Sequence, residues 1–190
     1  MNYKPIIIVA GEPNSIFLEL FFKVIKKNIK SPIILIASKK LLLNQAKILK
    51  QKISFNLIHD LNLIKNRKNL KKINLINVEF NQSQAFSKIT TKSNDYISSC
   101  FSVAINLLKK NISNKLINGP ISKKNFLNKK YLGITEYLTK KFLVNKSAML
   151  IYNKELSVCP ITTHLPLKLV TKNINKRIII NKIKLINSFY

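Results

Sequence analysis

Residues 6–13 read Ile6-Ile7-Ile8-Val9-Ala10-Gly11-Glu12-Pro13, a short apolar run that ends in turn-forming residues. A continuous run of branched aliphatic residues with such a boundary is typical of a strand buried on both faces of a sheet. Residues 16–28 follow with apolar side chains on one helical face and lysines on the other. A buried strand followed by an amphipathic helix indicates an α/β fold.

The same alternation continues along the chain. Further strands are predicted over 32–37, 54–57, 72–78 and 115–118. Further helices are predicted over 40–51, 95–110 and 135–142, with a last helical pattern over 178–190. Two more strands are predicted at 148–152 and 155–160, on either side of a polar turn. We therefore predict a mostly parallel sheet covered by helices.

The chain is strongly basic, with a formal net charge of +27 over 190 residues. Nucleic acid or an acidic membrane surface is one interpretation of such a charge. However, Arg67 and Arg177 are the only arginines, and arginine is the residue that reads phosphates and bases with two hydrogen bonds. Lysine, asparagine and isoleucine all have A/T-rich codons, so a biased genome explains the charge. We predict no nucleic-acid partner, and a positive field that steers a phosphorylated substrate.

Two thiols, Cys100 and Cys159, occur in a chain without a secretory pattern or an apolar run of membrane-spanning length. We expect a cytoplasmic protein without a membrane partner, whose thiols stay reduced. Cys100 lies on the apolar face of the predicted 95–110 helix, which indicates core packing. A metal-ligand role for Cys159 has no support from a paired cysteine spacing.

A glycine-proline turn follows the predicted strand at 115–118, in Asn118-Gly119-Pro120-Ile121-Ser122-Lys123. Ligands of open α/β sheets gather at the carboxyl ends of strands. Ser122 and Lys123 are therefore candidates for contact with a phosphate, because turn N–H groups and lysine both favour anions. The alternative is an ordinary surface lysine among many.

The segment Pro160-Ile161-Thr162-Thr163-His164-Leu165-Pro166-Leu167 places a rare histidine between a predicted strand and a helix start. Pro166 favours extended geometry at Leu165 and is tolerated at the beginning of a helix. An imidazole held at this corner could ligate a metal, whereas the alternative is a buried, hydrogen-bonded side chain. His59, in a polar stretch, is interpreted as a solvated surface residue.

The segments 6–13, 118–123 and 162–167 resemble, in order, the N-terminal portion of the 4-hydroxythreonine-4-phosphate dehydrogenase (PdxA) family. A fourth segment of that family resembles Gly133-Ile134-Thr135-Glu136-Tyr137, which lies between the last two. The resemblance implies an isocitrate/isopropylmalate dehydrogenase-like fold with an incomplete second lobe. It further implies a homodimer with a shared active site, NAD or NADP, and a divalent metal such as zinc, magnesium or cobalt. Residues 1–190 would form a single truncated α/β catalytic region, the N-terminal part of a two-lobe enzyme.

The resemblance assigns two site residues in this chain: Thr135 as substrate-binding and His164 as a metal ligand. It assigns no catalytic and no cofactor-binding residue within the chain. Two departures from the family pattern stand out. Ile134 replaces a histidine that contacts substrate, and Ser15 and Phe17 replace glycines after the first motif.

The implied reaction is the NAD(P)- and metal-dependent oxidation of 4-phosphooxy-L-threonine, followed by decarboxylation, in pyridoxal 5'-phosphate biosynthesis. This truncated chain alone is expected to be inactive. Two alternatives stay open: a truncated or degenerate family member without activity, and a dehydrogenase for a related four-carbon phosphorylated hydroxy acid. Ile134 favours the second of these.

Overall fold

The computed structural model describes residues 3–65, 70–128, 130–144 and 146–190. The chain divides into two compact units, Met1–Asn128 and Lys129–Tyr190. The first unit contains the sheet, and the second contains both site residues that the family resemblance assigned. The prediction that residues 1–190 form one region of a two-lobe enzyme stays a prediction.

The first unit is built on a five-stranded sheet in the order β3-β4-β2-β1-β5, with every neighbouring pair parallel. The strands are β1 (Ile6–Val9), β2 (Ile33–Ala37), β3 (Asn56–Leu57), β4 (Ile73–Asn77) and β5 (Leu116–Asn118). The helices are α1 (Phe17–Val24), α2 (Lys39–Ile48) and α3 (Asn94–Lys109). The predicted α/β fold with a mostly parallel sheet is confirmed.

Successive residues of a strand point to opposite faces of the sheet. Helices pack on both of these faces. Ile33 and Leu35 of β2 pack in one cluster with apolar side chains of α1 and α2. Ile34 and Ile36, which point the other way, are also fully buried, and α3 packs against β1 and β2. A strand buried on both faces requires the continuous apolar run that the sequence has.

The turns after β1 and β5 interlock through two glycines. Gly11 has φ +76°, and a Cβ there would lie 2.4 Å from the Pro120 carbonyl oxygen. A Cβ on Gly119 would lie 2.1 Å from the Ala10 carbonyl oxygen and 2.8 Å from Cγ of Phe17. The backbones of the first two motifs therefore meet at a distance that only glycine permits. Phe17 lies over Gly119, so the bulky replacement of a family glycine is accommodated by packing.

Several predicted boundaries differ from the structure. Helix α1 ends at Val24 rather than at residue 28, because Lys27 N–H donates to the Val24 carbonyl and tightens the last turn. A 3-10 helix, Leu61–Lys65, lies in the predicted loop 60–72, of which residues 66–69 lie outside the described residues.

The second unit contains α4 (Ile134–Phe142), α5 (Leu167–Val170), a 3-10 turn (Thr171–Asn173) and α6 (Lys176–Asn187). The two strands predicted at 148–152 and 155–160 are wrong, since they reduce to one antiparallel bridge between Ile151 and Val158. Both bridge residues are at least half exposed, and an isolated two-stranded ribbon is only marginally stable. None of the described helices has the length and apolar character that crossing a bilayer requires.

Candidate functional site

The second unit contains a cavity of about 260 Å³ between α4, α6 and the chain around residue 163. Seven of its eight lining residues have polar side chains, among them three threonines, one glutamate and two lysines: Thr135, Thr139, Thr163, Glu136, Lys140 and Lys182. An open cavity with a few convergent polar groups is the usual form of a small-molecule site. Thr135, which the sequence assigned to substrate binding, lies in this lining.

Thr135 is exposed and lies in the first turn of α4. The N-cap of that helix is Gly133, and no side-chain hydrogen bond caps it. The Thr135 carbonyl accepts a 2.8 Å hydrogen bond from Oγ1 of Thr139. Thr135 therefore does not cap α4, and it lines the cavity.

The two lysines give the cavity a positive character. Lys182 is half-buried on α6, and its Nζ donates to the Ser147 carbonyl at 2.5 Å. Lys140 Nζ lies 5.6 Å from the centre of the Tyr131 ring, within the range of a cation–π contact. Two ammonium groups against the one carboxylate of Glu136 favour an anionic ligand.

His164 lies in an exposed position immediately before α5. The interpretation of His164 as a buried core histidine is therefore wrong. Pro166 is the N-cap of α5, as the helix start predicted, but a loop rather than a strand leads into the histidine. The backbone of His164 has φ +58°, a left-handed conformation that is uncommon for residues other than glycine.

Glu136 and His164 converge on Gly133. A Cβ on Gly133 would lie 3.0 Å from Oε2 of Glu136 and 3.5 Å from Nε2 of His164. That carboxylate oxygen is shielded from solvent and accepts no hydrogen bond from the described residues. An orphaned carboxylate oxygen beside an imidazole suits a group that carries positive charge.

A divalent metal fits this corner only in part. The described residues contain no group of three histidine, cysteine or acidic side chains that could hold an ion. His164 can supply one ligand nitrogen and Glu136 lies next to it, whereas a strong site needs three or four ligands. The assignment of His164 as a metal ligand therefore stays a prediction that needs donors from outside these residues.

The first unit has a larger cavity of about 690 Å³, at the carboxyl ends of β1 and β4. Asn14 shapes it, since its side chain exchanges hydrogen bonds of 3.1 and 2.7 Å with Gln82 and accepts one of 3.0 Å from Ser87 N–H. Lys88 and Lys92 also line it. The carboxyl edge of a parallel sheet is where ligands gather in such folds.

Glu12 lies beneath this edge and is only 2% exposed. Its Oε2 accepts a 2.9 Å hydrogen bond from Oγ of Ser93, and burial raises the pKa of the carboxyl. Ser93 occupies the N-cap position of α3, but its hydroxyl donates to Glu12 and makes no hydrogen bond that caps the helix. Sequence reasoning missed this pair because the two residues are 81 positions apart; the acidic residue in the first motif was the one signal available.

Ser122 has a structural role in the first unit. Its Oγ accepts a 3.1 Å hydrogen bond from Asn125 N–H and caps the π-helical segment Lys123–Leu127. The phosphate contact predicted for Ser122 and Lys123 stays a prediction. Cys100 is fully buried, as predicted, and burial raises the pKa of its thiol to about 12.

Comparison with known proteins identifies relatives over nearly the whole chain. Residues 28–190 match the model of a family described as pyridoxal phosphate biosynthetic protein PdxA. A curated relative from Sulfurihydrogenibium sp. (strain YO3AOP1), named 4-hydroxythreonine-4-phosphate dehydrogenase, is 32% identical over 186 residues. The match covers 95% of this chain and 56% of that relative. The chain thus spans little more than half the length of the curated protein it resembles.

Solved structures agree on the fold. A putative 4-hydroxythreonine-4-phosphate dehydrogenase from Salmonella typhimurium superposes with a TM-score of 0.83 at 20% identity. That superposition covers 99% of this chain and 59% of the other. The 4-hydroxythreonine-4-phosphate dehydrogenase of Klebsiella pneumoniae gives the same TM-score and identity, covering 99% and 58%.

Proposed function

We propose, from the premise that this chain belongs to the PdxA family of pyridoxal phosphate biosynthetic proteins, that it forms the N-terminal part of a 4-hydroxythreonine-4-phosphate dehydrogenase. The reaction is oxidation of 4-phosphooxy-L-threonine with NAD or NADP as hydride acceptor, followed by loss of carbon dioxide. The observation that carries the proposal is that Thr135, Glu136 and Thr163 line one cavity in one unit of the fold. Thr163 immediately precedes His164 in the chain.

The cavity lining supports a phosphorylated substrate. Lys140 and Lys182 offer two positive charges, and Lys182 is anchored by the Ser147 carbonyl rather than by an acidic side chain. Thr135 and Thr139 add hydroxyl groups that can donate to phosphate or hydroxyl oxygens. We assign Thr135 to substrate binding and the two lysines to the anionic end of the substrate.

His164 is assigned as one metal ligand, and the remaining ligands come from outside the described residues. Zinc, magnesium or cobalt would act there as a Lewis acid toward the substrate alcohol. The exposed position of His164 supports this role, because a ligand nitrogen must be reachable by the ion. The same incomplete ligand set supports a homodimer with a shared site, in which this chain alone is inactive. We further propose that the enzyme acts in the cytoplasm.

A related four-carbon phosphorylated hydroxy acid is the second candidate substrate. Ile134 opens α4 next to Thr135, at the position where the family pattern has a histidine. An aliphatic side chain cannot donate the hydrogen bond that an imidazole would, so a substrate lacking that partner group suits it better.

The test joins this chain to the part of the Sulfurihydrogenibium relative that lies beyond the matched residues. The chimera is assayed for NADH formation with 4-phosphooxy-L-threonine and a divalent metal, in parallel with the chain alone. We expect substrate-dependent NADH from the chimera and none from the chain alone or from chimeric H164A. The same assay is repeated with a four-carbon phosphorylated hydroxy acid. A folded chimera without activity on either substrate would count against the proposal and favour the inactive alternative.

A further inference from the structure

The second unit has almost no core of its own. Among its described residues only Gly133 and Tyr137 are buried, and neither α5 nor α6 contains a buried residue. Helix α3 of the first unit, by contrast, buries seven of its residues. The packing of an apolar face is what usually stabilises a helix in a protein. The apolar residues of α6 gain little of that burial within the described part of the chain.

An apolar cavity lies at the end of α6. Its volume is about 520 Å³, and five of its seven lining residues are apolar: Ala148, Leu150, Leu185, Ile186 and Phe189. The other two are serines, so none of the described residues that line it is charged, in a chain with a net charge of +27. Depletion of charge around apolar side chains is typical of the centre of an interface rather than of a free surface.

The ribbon that begins after Leu150 extends this apolar surface. Ile151 and Val158 are joined by two backbone hydrogen bonds of 2.8 and 2.9 Å, and they are 57% and 50% exposed. The Tyr190 hydroxyl donates a 3.1 Å hydrogen bond to Oγ of Ser157, which places the residues after α6 beside the ribbon. The cavity and the ribbon together are called the open face, and it consists of Leu150, Ile151, Val158, Leu185, Ile186 and Phe189.

The longer relatives indicate what covers the open face. The Salmonella typhimurium structure superposes on 99% of this chain, so the second unit has the fold that it has in that protein. About two fifths of that protein lies outside the superposition. This chain corresponds to the N-terminal portion of the family fold, so the unmatched part comes later in the relatives' chain order. Phe189, near the last matched residue, already lines the apolar cavity.

We propose that the open face is the docking surface for the part of the PdxA fold that follows residue 190 in the longer relatives. Apolar side chains of that part fill the cavity beside α6 and cover the ribbon at Ile151 and Val158. The second unit and that part then share one hydrophobic core, which neither builds alone. The inference rests on family membership and on the burial of these residues, and it does not depend on the dehydrogenase activity.

Hydroxyl-radical footprinting read by mass spectrometry compares this chain with the chimera that carries the remainder of the Sulfurihydrogenibium relative. We expect oxidation at Ile151 and Phe189 to fall about 5-fold or more in the chimera, because exposed side chains become almost fully buried. Ile48 of the first unit is the matched control, since it is 58% exposed against 57% for Ile151, and its oxidation should not change. Equal oxidation of Ile151 in the two proteins would overturn the inference. Protection of Ile151 in the chain alone that is lost on dilution would assign the open face to a second copy and would also overturn it.

Urea unfolding of an I151K variant tests the same surface through stability. In the chain alone the new lysine stays in water, so the urea midpoint should not move. In the chimera the substitution buries a charge, and the midpoint should fall by about 1 M. I48K is the matched control and should have no effect in either protein. An I151K midpoint that is unchanged in the chimera would overturn the inference. An inactive chimera with a protected open face would instead count against the dehydrogenase alone.

Discussion

Replacing Gly119 by alanine tests the contact between the first two motifs. The added methyl would lie 2.1 Å from the Ala10 carbonyl oxygen, and real Cβ atoms essentially never come within 3.0 Å of another heavy atom. The neighbouring atoms are backbone, so no side-chain rotation relieves the overlap. The ends of β1 and β5 must move apart by roughly 1 Å, the difference between these separations.

The cost follows from what holds those strand ends together. Gly119 N–H donates to the Val9 carbonyl at 2.7 Å, and Glu12 N–H donates to the Pro120 carbonyl at 2.8 Å. Losing both contributes about 1–3 kcal/mol, at about 0.5–1.5 kcal/mol each. Overpacking adds about 1–3 kcal/mol. We expect G119A to lower the free energy of unfolding by about 2–6 kcal/mol, a large part of a typical domain's stability.

Urea unfolding followed by far-ultraviolet circular dichroism measures this loss, and hydrogen exchange at the β1 and β5 amides localises it. G133A is the matched glycine-to-alanine control, because the atoms nearest to its methyl are side-chain ends, Oε2 of Glu136 at 3.0 Å and Nε2 of His164 at 3.5 Å, rather than backbone. Because Gly133 is the N-cap of α4, where alanine is disfavoured, we expect G133A to cost about 1 kcal/mol or less. A loss in G119A no greater than in G133A would refute the argument that the two turns interlock.

Three further results are expected. As pH rises above 4.5, Glu12 ionises in the unfolded chain before it ionises in the folded chain, because burial raises its folded pKa. The free energy of unfolding therefore falls as pH rises. E12Q should remove that part of the fall, measured as urea midpoints between pH 4 and 7. K182A should weaken inorganic phosphate binding about 10-fold by calorimetry, with exposed K154A unchanged, and equal affinities would contradict the anionic site. Iodoacetamide at neutral pH should label Cys159 and spare Cys100, whose pKa is about 12, until urea unfolds the chain; prompt labelling of Cys100 would contradict its burial.

Sequence reasoning predicted the sheet well because its strands carry their signal locally. The runs at 6–9 and 33–37 are apolar without interruption, which is what burial on two faces demands. Helix α3 was predicted to within one residue at each end for a similar reason, since its apolar stripe repeats over four turns.

The segment 148–160 shows where the same reasoning fails. Its apolar residues match a strand pattern, but Leu156 is 71% exposed and Val158 50% exposed, so no core within the unit rewards their pairing. Strand propensity depends on the surface against which a strand packs, and a local pattern does not contain that surface.

The candidate site was likewise predicted from the sequence only in part. Thr135 and His164 were found because each lies in a motif. Glu136 lies in one of the same motifs, yet its relation to His164 depends on a loop that brings residue 164 back to Gly133. A contact across that many residues has no local sequence signature.

The left-handed backbone of His164 has an evolutionary consequence. Glycine or asparagine adopts φ +58° at a lower free-energy cost than most other residues do, by roughly 1–2 kcal/mol. Selection for stability alone would therefore favour replacements at codon 164 that relax the main chain. Homologues that keep histidine at this position would then keep it for its side chain, against the preference of the main chain for glycine or asparagine.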